Sequence, residues 1–440
     1  MSLEALRRGA LSGARELKLS GGLTEFPAEI FALADTLEVL DLSGNRLSAL
    51  PDDLGRLSKL RVLFCSGNQF ARLPPVLGDC GALSQMGFRG CGVSEVPAAS
   101  LPPALRWLTL TDNRIERLPR ALGERPLLQK LMLAGNRLGA LPESLSGAQR
   151  LELLRLSANQ LETLPPWLAQ LPRLAWLAWA GNPGDRTTRA ASTPAVAWRR
   201  LRLGALLGEG ASGWVHQAAW QPTGSAEARA VALKLFKGSL TSDGLPEREM
   251  AACLAAGAHP NLMGGLGRVE DHPTQAQALL MPLLPADWRP LAGPPSLESC
   301  SRDIYDPALR FDPDAALRIA RGIGAATAHL HAGGLLHGDL YAHNILWDGA
   351  GGDAVLSDFG AAFFLPGADG GAAWQRLEVR AWGLLLGELL DRCGGEIPEQ
   401  ARLRQLEQDC VQADPSARPL MGEVMEGLGG ISSGSALVSR

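Results

Sequence analysis

The chain has 440 residues, 46% of them hydrophobic and 20% charged, which excludes a disordered polymer and leaves room for about two or three domains with their own cores. Its net charge of −4 gives no reason to expect a nucleic-acid or anionic-membrane partner. Seven cysteines lie scattered without CxxC spacing, so neither a zinc site nor a disulfide framework is indicated. Residues Met1 to Arg8 hold no apolar signal core, and no apolar run approaches the ~20 residues that a bilayer span needs. The expected setting is therefore soluble, reducing and cytoplasmic.

Leucine blocks then recur. Leu37, Leu60, Leu83, Leu105, Leu128, Leu151 and Leu174 open them, at spacings of 23, 23, 22, 23, 23 and 23 residues. Asn45, Asn68, Asn113, Asn136, Asn159 and Asn182 each follow an opening leucine by eight residues. An asparagine there can bond backbone groups inside the turn and bridge one coil to the next. Leu-Pro pairs such as Leu50-Pro51, Leu118-Pro119 and Leu164-Pro165 then turn the chain away. An imperfect first coil begins near Ala14, with Leu17, Leu19 and Leu23 inward and Gly22 in place of its asparagine.

The array resembles leucine-rich repeat proteins over roughly residues 14–182, with about eight coils. That resemblance implies an α/β solenoid, assigned to residues 1–182, with a parallel sheet on its concave face. Strand alternation puts Val39, Val62, Phe64, Trp107, Met132, Leu153 and Trp176 on that face, mixed with Asp41, Arg89, Lys130 and Arg155. Exposed aromatics and methionine there point to a surface for a protein substrate or regulator. The competing reading is a face that is merely solvated, or covered by the chain's own second domain.

Residues 183–200 read as a linker, because Pro183 to Pro194 breaks the leucine rhythm with Pro, Gly, Ser and Thr. No membrane span separates the two halves.

The C-terminal half opens with Leu207-Gly208-Glu209-Gly210-Ala211-Ser212-Gly213-Trp214-Val215, whose glycines let backbone approach phosphate without a Cβ clash. Val231-Ala232-Leu233-Lys234 follows, then Glu247-Arg248-Glu249-Met250 ahead of His259-Pro260-Asn261-Leu262. Leu279 to Leu284 forms an apolar strand. His337-Gly338-Asp339-Leu340-Tyr341-Ala342-His343-Asn344 puts an aspartate and an asparagine five positions apart, and Asp358-Phe359-Gly360 adds a second aspartate. Phosphoryl transfer needs such groups: a carboxylate beside the attacking hydroxyl and oxygen ligands for magnesium.

In this order the motifs, with Trp382-Gly383 and Asp414-Pro415-Ser416-Ala417-Arg418-Pro419, resemble protein kinases over about residues 201–428. Residues 429–440 are left as a tail. The resemblance implies an α+β bilobal domain using ATP and Mg2+. It implies Asp339 at the substrate hydroxyl and Asn344 and Asp358 on magnesium. Lys234 would hold the α- and β-phosphates, with Glu249 as its partner and Glu247 as the alternative. Gly208, Gly210, Gly213, Val215 and the backbone of Leu284 would surround the nucleotide, Met281 would stand behind adenine, and His337 is a packing residue.

Three departures matter. Gly338 stands where an arginine usually pairs with a phosphorylated activation loop, and Tyr341 stands where serine/threonine kinases carry lysine. No Ala-Pro-Glu motif lies between Asp358 and Glu378, the acidic residue expected to open the next long helix, so Arg418 lacks its customary glutamate. Activity is thus expected to be constitutive or set by the repeats. The reading is a protein kinase directed to serine or threonine. The alternatives are a non-enzymatic scaffold and a small-molecule phosphotransferase, since His-Gly-Asp-Leu is similar to aminoglycoside phosphotransferases too.

Overall fold

Each leucine block becomes a three-residue strand flanked by buried leucines. In the computed structural model these are β1 (Glu16–Lys18), β2 (Val39–Asp41), β3 (Val62–Phe64), β4 (Gln85–Gly87), β5 (Trp107–Thr109), β6 (Lys130–Met132), β7 (Leu153–Arg155) and β8 (Trp176–Ala178). They form one eight-stranded sheet in chain order. Parallel register from β1 to β7 aligns Leu17, Leu40, Leu63, Met86, Leu108, Leu131 and Leu154, all at most 2% exposed. The structure describes residues 2–185, 195–210, 212–238, 240–241, 243–395, 397 and 399–429, without the side chains of 367–370. The expected linker at 186–194 and the tail at 430–440 lie outside the described residues.

Asparagine does in every regular turn what its two-sided amide allows. Asn136 donates to the carbonyls of Leu110 (2.8 Å) and Leu133 (2.9 Å) and accepts the Ile115 N–H (3.0 Å), so one side chain ties its own coil to the preceding one. Asn45, Asn68, Asn113 and Asn159 repeat the pattern. In the first coil Gly22 takes the turn with φ +79° instead. Prolines at 27, 74, 97, 119, 142 and 165 start short 3₁₀ turns on the other side of the coils, where their fixed φ costs nothing. A capping helix α1 (Leu3–Arg7) buries Leu6, and the Ser2 side chain accepts the Ala5 N–H at its start.

The expected concave face is only partly open. Val39, Phe64, Trp107 and Met132 are half-buried, and the Lys130 ammonium sits 4.1 Å over the Trp107 ring. Val62, Leu153, Arg155 and Trp176 are buried at 2%, 4%, 2% and 1% exposure, so these four are not available as a docking surface.

Contacts divide the chain into two units, Met1–Arg173 with Asn182–Gly184 and Leu174–Gly181 with Asp185–Arg440. The segment Leu174–Gly181, which carries β8, groups with the second unit. That unit also starts before residue 201, because β9 (Ala195–Ala197), inside the expected linker, pairs parallel with β13 (Gly267–Glu270). The other strands of its sheet are β10 (Leu201–Glu209), β11 (Gly213–Trp220), β12 (Arg229–Phe236) and β14 (Ala278–Pro282), in the order β10-β11-β12-β14-β13-β9. Alternating apolar positions, Val196, Ala218, Val231, Leu233, Val269, Ala278 and Leu280, make one core beneath it. Helix α2 (Pro246–Ala255) begins with proline, whose missing N–H is harmless at that position.

The remainder is mainly helical: β15 (Arg289–Pro290), α3 (Pro313–Ala332), β16 (Leu335–Leu336), β17 (Ile345–Trp347), β18 (Ala354–Leu356), β19 (Phe363–Phe364), α4 (Gly367–Leu390), α5 (Gln400–Cys410) and α6 (Met421–Gly429). Asp312 caps α3 by accepting the Asp314 N–H (3.0 Å), and Gly334 at φ +73° releases the chain after its end. Trp382 of α4 is fully buried and donates to the Ala320 carbonyl of α3 (3.1 Å). Burying a side chain of this size stabilises by about 2–3 kcal/mol, and Gly324 leaves it room, since a Cβ there would lie 3.1 Å from its Nε1.

Candidate active site

Lys234 lies in the middle of β12, and Glu249 faces it from α2. The two are 8% and 3% exposed, and the Lys234 ammonium donates to Glu249 Oε1. Glu247, the alternative partner, is exposed. Burial pulls the lysine pKa down, but the carboxylates of Asp358 and Glu249 outweigh it and the net shift is upward. Burial also pushes the Glu249 carboxyl up, to about 7, against the attraction of Lys234. A lone buried ammonium would shed its proton; the surrounding carboxylates keep this one charged.

The glycine-rich segment is the β10–β11 hairpin, closed by the Gly210 N–H on the Gly213 carbonyl (2.9 Å). Lys237 holds the hairpin from β12's end, pairing with Glu209 and donating to the Gly210 carbonyl (3.1 Å). A Cβ on Gly208 or Gly210 would meet none of the described residues within 4 Å, so open space among them stands over both. Gly213 has a different reason to be glycine, because a Cβ would overlap the Leu235 carbonyl of β12. Register sets Val215 beside Gly208 on one side and Lys234 on the other. Met281 pairs with Ala232 in β14, and Leu284 follows that strand half-buried.

Asp339 sits on the loop between β16 and β17. Asn344 binds it twice, donating from Nδ2 to its backbone carbonyl and to its Oδ2, both at 2.9 Å. The Asp339 N–H points to His337 Nδ1 (3.3 Å), and the other ring nitrogen contacts the Ser357 carbonyl (3.0 Å). His337 is fully buried, its ring 5.1 Å from that of Phe359. Ser357 bonds the Asn344 carbonyl through its N–H (2.8 Å) and its hydroxyl (2.7 Å), tying this loop to the next turn. There Asp358 is exposed at φ +62°, and its carboxylate accepts the Gly360 N–H (3.1 Å).

Two residues that the motif reading left without a place in the site hold this loop. Glu378, expected to open a helix, lies well inside α4 and is 1% exposed. It accepts the N–H groups of Gly338 (2.7 Å) and His337 (3.3 Å) and contacts His331 Nε2 (2.8 Å). Burial alone would raise its pKa, but the hydrogen bond and charge of His331, then His337 and the Gly338 N–H, hold it below the usual value. Asp303 accepts the His343 N–H (3.0 Å) and meets its Nδ1 (2.7 Å). Burial works against protonation of His343, yet the Asp303 carboxylate, with Asp339 and Asp358 beyond it, raises the imidazole pKa. No local sequence pattern marks Asp303.

Only six residues, Ala361 to Pro366, separate Gly360 from α4, and none is Ser, Thr or Tyr. Arg418 is buried at 1% exposure and donates to the backbone carbonyls of Gln412 (2.9 Å) and Arg376 (3.2 Å). Burial draws its pKa down to about 9, leaving the guanidinium charged at neutral pH.

Protein-family models match separate stretches of the chain. Residues 201–369 match a model described as protein tyrosine and serine/threonine kinase. Leucine-rich repeat models match residues 36–57 and 126–183. No curated protein matches the chain closely enough to serve as a relative. No described helix is long and apolar enough to cross a membrane.

Proposed function

From a chain that joins leucine-rich repeats to a tyrosine and serine/threonine kinase domain, we propose an ATP-dependent protein kinase directed to serine or threonine hydroxyls. The observation that carries the reading is the buried Lys234–Glu249 pair, a charge held where phosphates need one. The site fits a nucleotide: the open space over Gly208 and Gly210 lets the hairpin backbone approach phosphate oxygens. Oxygen donors suited to a hard cation come from the exposed Asp358 carboxylate and the Asn344 amide, whose nitrogen is already committed to Asp339. Magnesium bound there would neutralise charge on the β- and γ-phosphates.

Asp339 is assigned the acceptor hydroxyl, which it orients and whose proton it takes. Asn344 fixes the aspartate's rotamer by bonding Oδ2, and His337 fixes its backbone. Lys234 holds the α- and β-phosphates, and Glu249 holds Lys234. Protein substrates or regulators are assigned to the open part of the concave face, around Phe64, Trp107 and Met132. The proposed setting is the cytoplasm.

The six-residue interval after Gly360 favours one second reading, a small-molecule acceptor, because little chain remains to seat a peptide. Purified protein with γ-labelled ATP and magnesium tests both readings. Label on itself or on casein, abolished by Asp339→Ala, supports the kinase; label only on a small hydroxyl compound supports the second. ATP binding without transfer to any acceptor refutes both.

A further inference from the structure

Both neighbours of Asp339 are held by the same short strand, β8. On one side, the Trp176 indole N–H donates to the Leu340 carbonyl (2.9 Å). Its ring stacks on Tyr341 at 4.1 Å between centroids and 10° between planes. Trp176, Leu340 and Tyr341 are 1%, 1% and 5% exposed, so the contact is dry. On the other side, Gly338 turns at φ +73° with its α-carbon against the next residue of β8. A Cβ there would overlap the Leu177 carbonyl and lie 2.8 Å from that of Ala361. The space an arginine would need at position 338 is thus filled by backbone.

The outer face of the indole is fixed as well. Arg302 lies 5.4 Å from the Trp176 ring centroid and pairs with Glu388, which also accepts the Tyr305 hydroxyl (2.9 Å). The adjacent Asp303 holds His343. Residues 302–305 therefore back the tryptophan and grip the far end of the loop. The interval from Ala361 to Pro366 has no hydroxyl to phosphorylate and position 338 has no arginine to meet a phosphate, so loop order cannot come from that source.

We infer that Trp176 is a positioning residue for Asp339, and that β8 supplies permanently the order that a phosphorylated segment would supply on demand. The inference rests on the reading of Asp339 as the group at the acceptor hydroxyl. Trp176→Phe keeps a ring on Tyr341 and removes only the N–H bond to Leu340; Trp176→Leu removes the stack too. A misplacement of about 1 Å at a reacting group costs up to about 100-fold. The expected falls in kcat for casein labelling are therefore about tenfold for Trp176→Phe and about 100-fold for Trp176→Leu. KM for ATP should stay within about twofold, because Lys234 and the hairpin from Gly208 to Gly213, to which the phosphate contacts are assigned, lie on β10, β11 and β12.

Hydrogen exchange of the full chain is the parallel readout. Amides of 338–345 should exchange faster in both variants, by about fivefold or more in Trp176→Phe from the lost bond alone, while α3 is unchanged. Unchanged exchange at 338–345 overturns the inference. So does faster exchange with unchanged kcat in Trp176→Phe, or a loss that falls on KM. If the native chain transfers no phosphate, the kinase reading fails by itself, and the exchange arm alone decides whether β8 orders the loop. If Trp176→Leu does not fold, Trp176→Phe carries the decision.

Discussion

Replacing Glu378 with alanine should unlock the loop that carries Asp339. The carboxylate takes three donors in a buried place: the Gly338 and His337 N–H groups at 2.7 and 3.3 Å and His331 Nε2 at 2.8 Å. Stranding a buried donor costs about 1–3 kcal/mol. Allowing for the longest of the three and for partial relaxation, the loss should be about 3–6 kcal/mol, a large share of the roughly 5–15 kcal/mol that holds a domain together. Glu378→Gln should cost less, since one carbonyl oxygen can still accept. Urea titration read by hydrogen exchange in α3 and α4 measures the loss. A pH series separates charge from shape. The folded pKa of Glu378 lies below the ordinary 4.5, so its contribution is full above that value and lost as pH falls through the folded pKa. The stability gap between the native chain and Glu378→Gln should therefore close on acidification. A loss below about 1 kcal/mol for the alanine variant, or a gap indifferent to pH, would refute the account of this residue.

Other expectations follow from the same contacts. Gly338→Ala should cost about 2–4 kcal/mol, from left-handed φ and overlap with the Leu177 carbonyl, and urea unfolding of the second unit reads it. Asn136→Ala strands three buried backbone groups in the repeats and should lower their stability by about 3 kcal/mol in circular-dichroism melts, leaving ATP affinity unchanged. Lys234→Met leaves the Glu249 carboxylate buried without its cation. Labelled-ATP turnover should fall by about 100-fold or more, and adding Asp339→Ala should lower it little further, because groups that act as a unit are not additive.

Local pattern and spatial neighbourhood explain which features could be read ahead. Leucine spacing and the recurrent asparagine announce the coils because each turn repeats the same local requirement. Lys234 and Glu249 stand fifteen residues apart in motifs of fixed order, and the pair forms. Glu378 was recognised as an acidic residue of the next helix, but its depth inside α4 was hidden. The Gly367-Ala368-Asp369-Gly370-Gly371 stretch has poor helix propensity, yet α4 starts with it, eleven residues ahead of Glu378. Strand β9 was hidden in a linker, being only three residues long and paired with a strand some seventy positions on. Trp176 looked like one more concave-face aromatic. Its partners, Leu340 and Tyr341, lie 164 or more positions away, and no periodicity reports them.

Phosphoryl transfer by Asp339→Asn tests the central claim most directly, since the substitution keeps the shape of the side chain and removes its basicity. With γ-labelled ATP, magnesium and casein, the account predicts labelling by the native chain and a loss of about 100-fold or more in the variant, with ATP affinity retained. Equal labelling by the two proteins, or ATP binding by the native chain with no transfer at all, would contradict it.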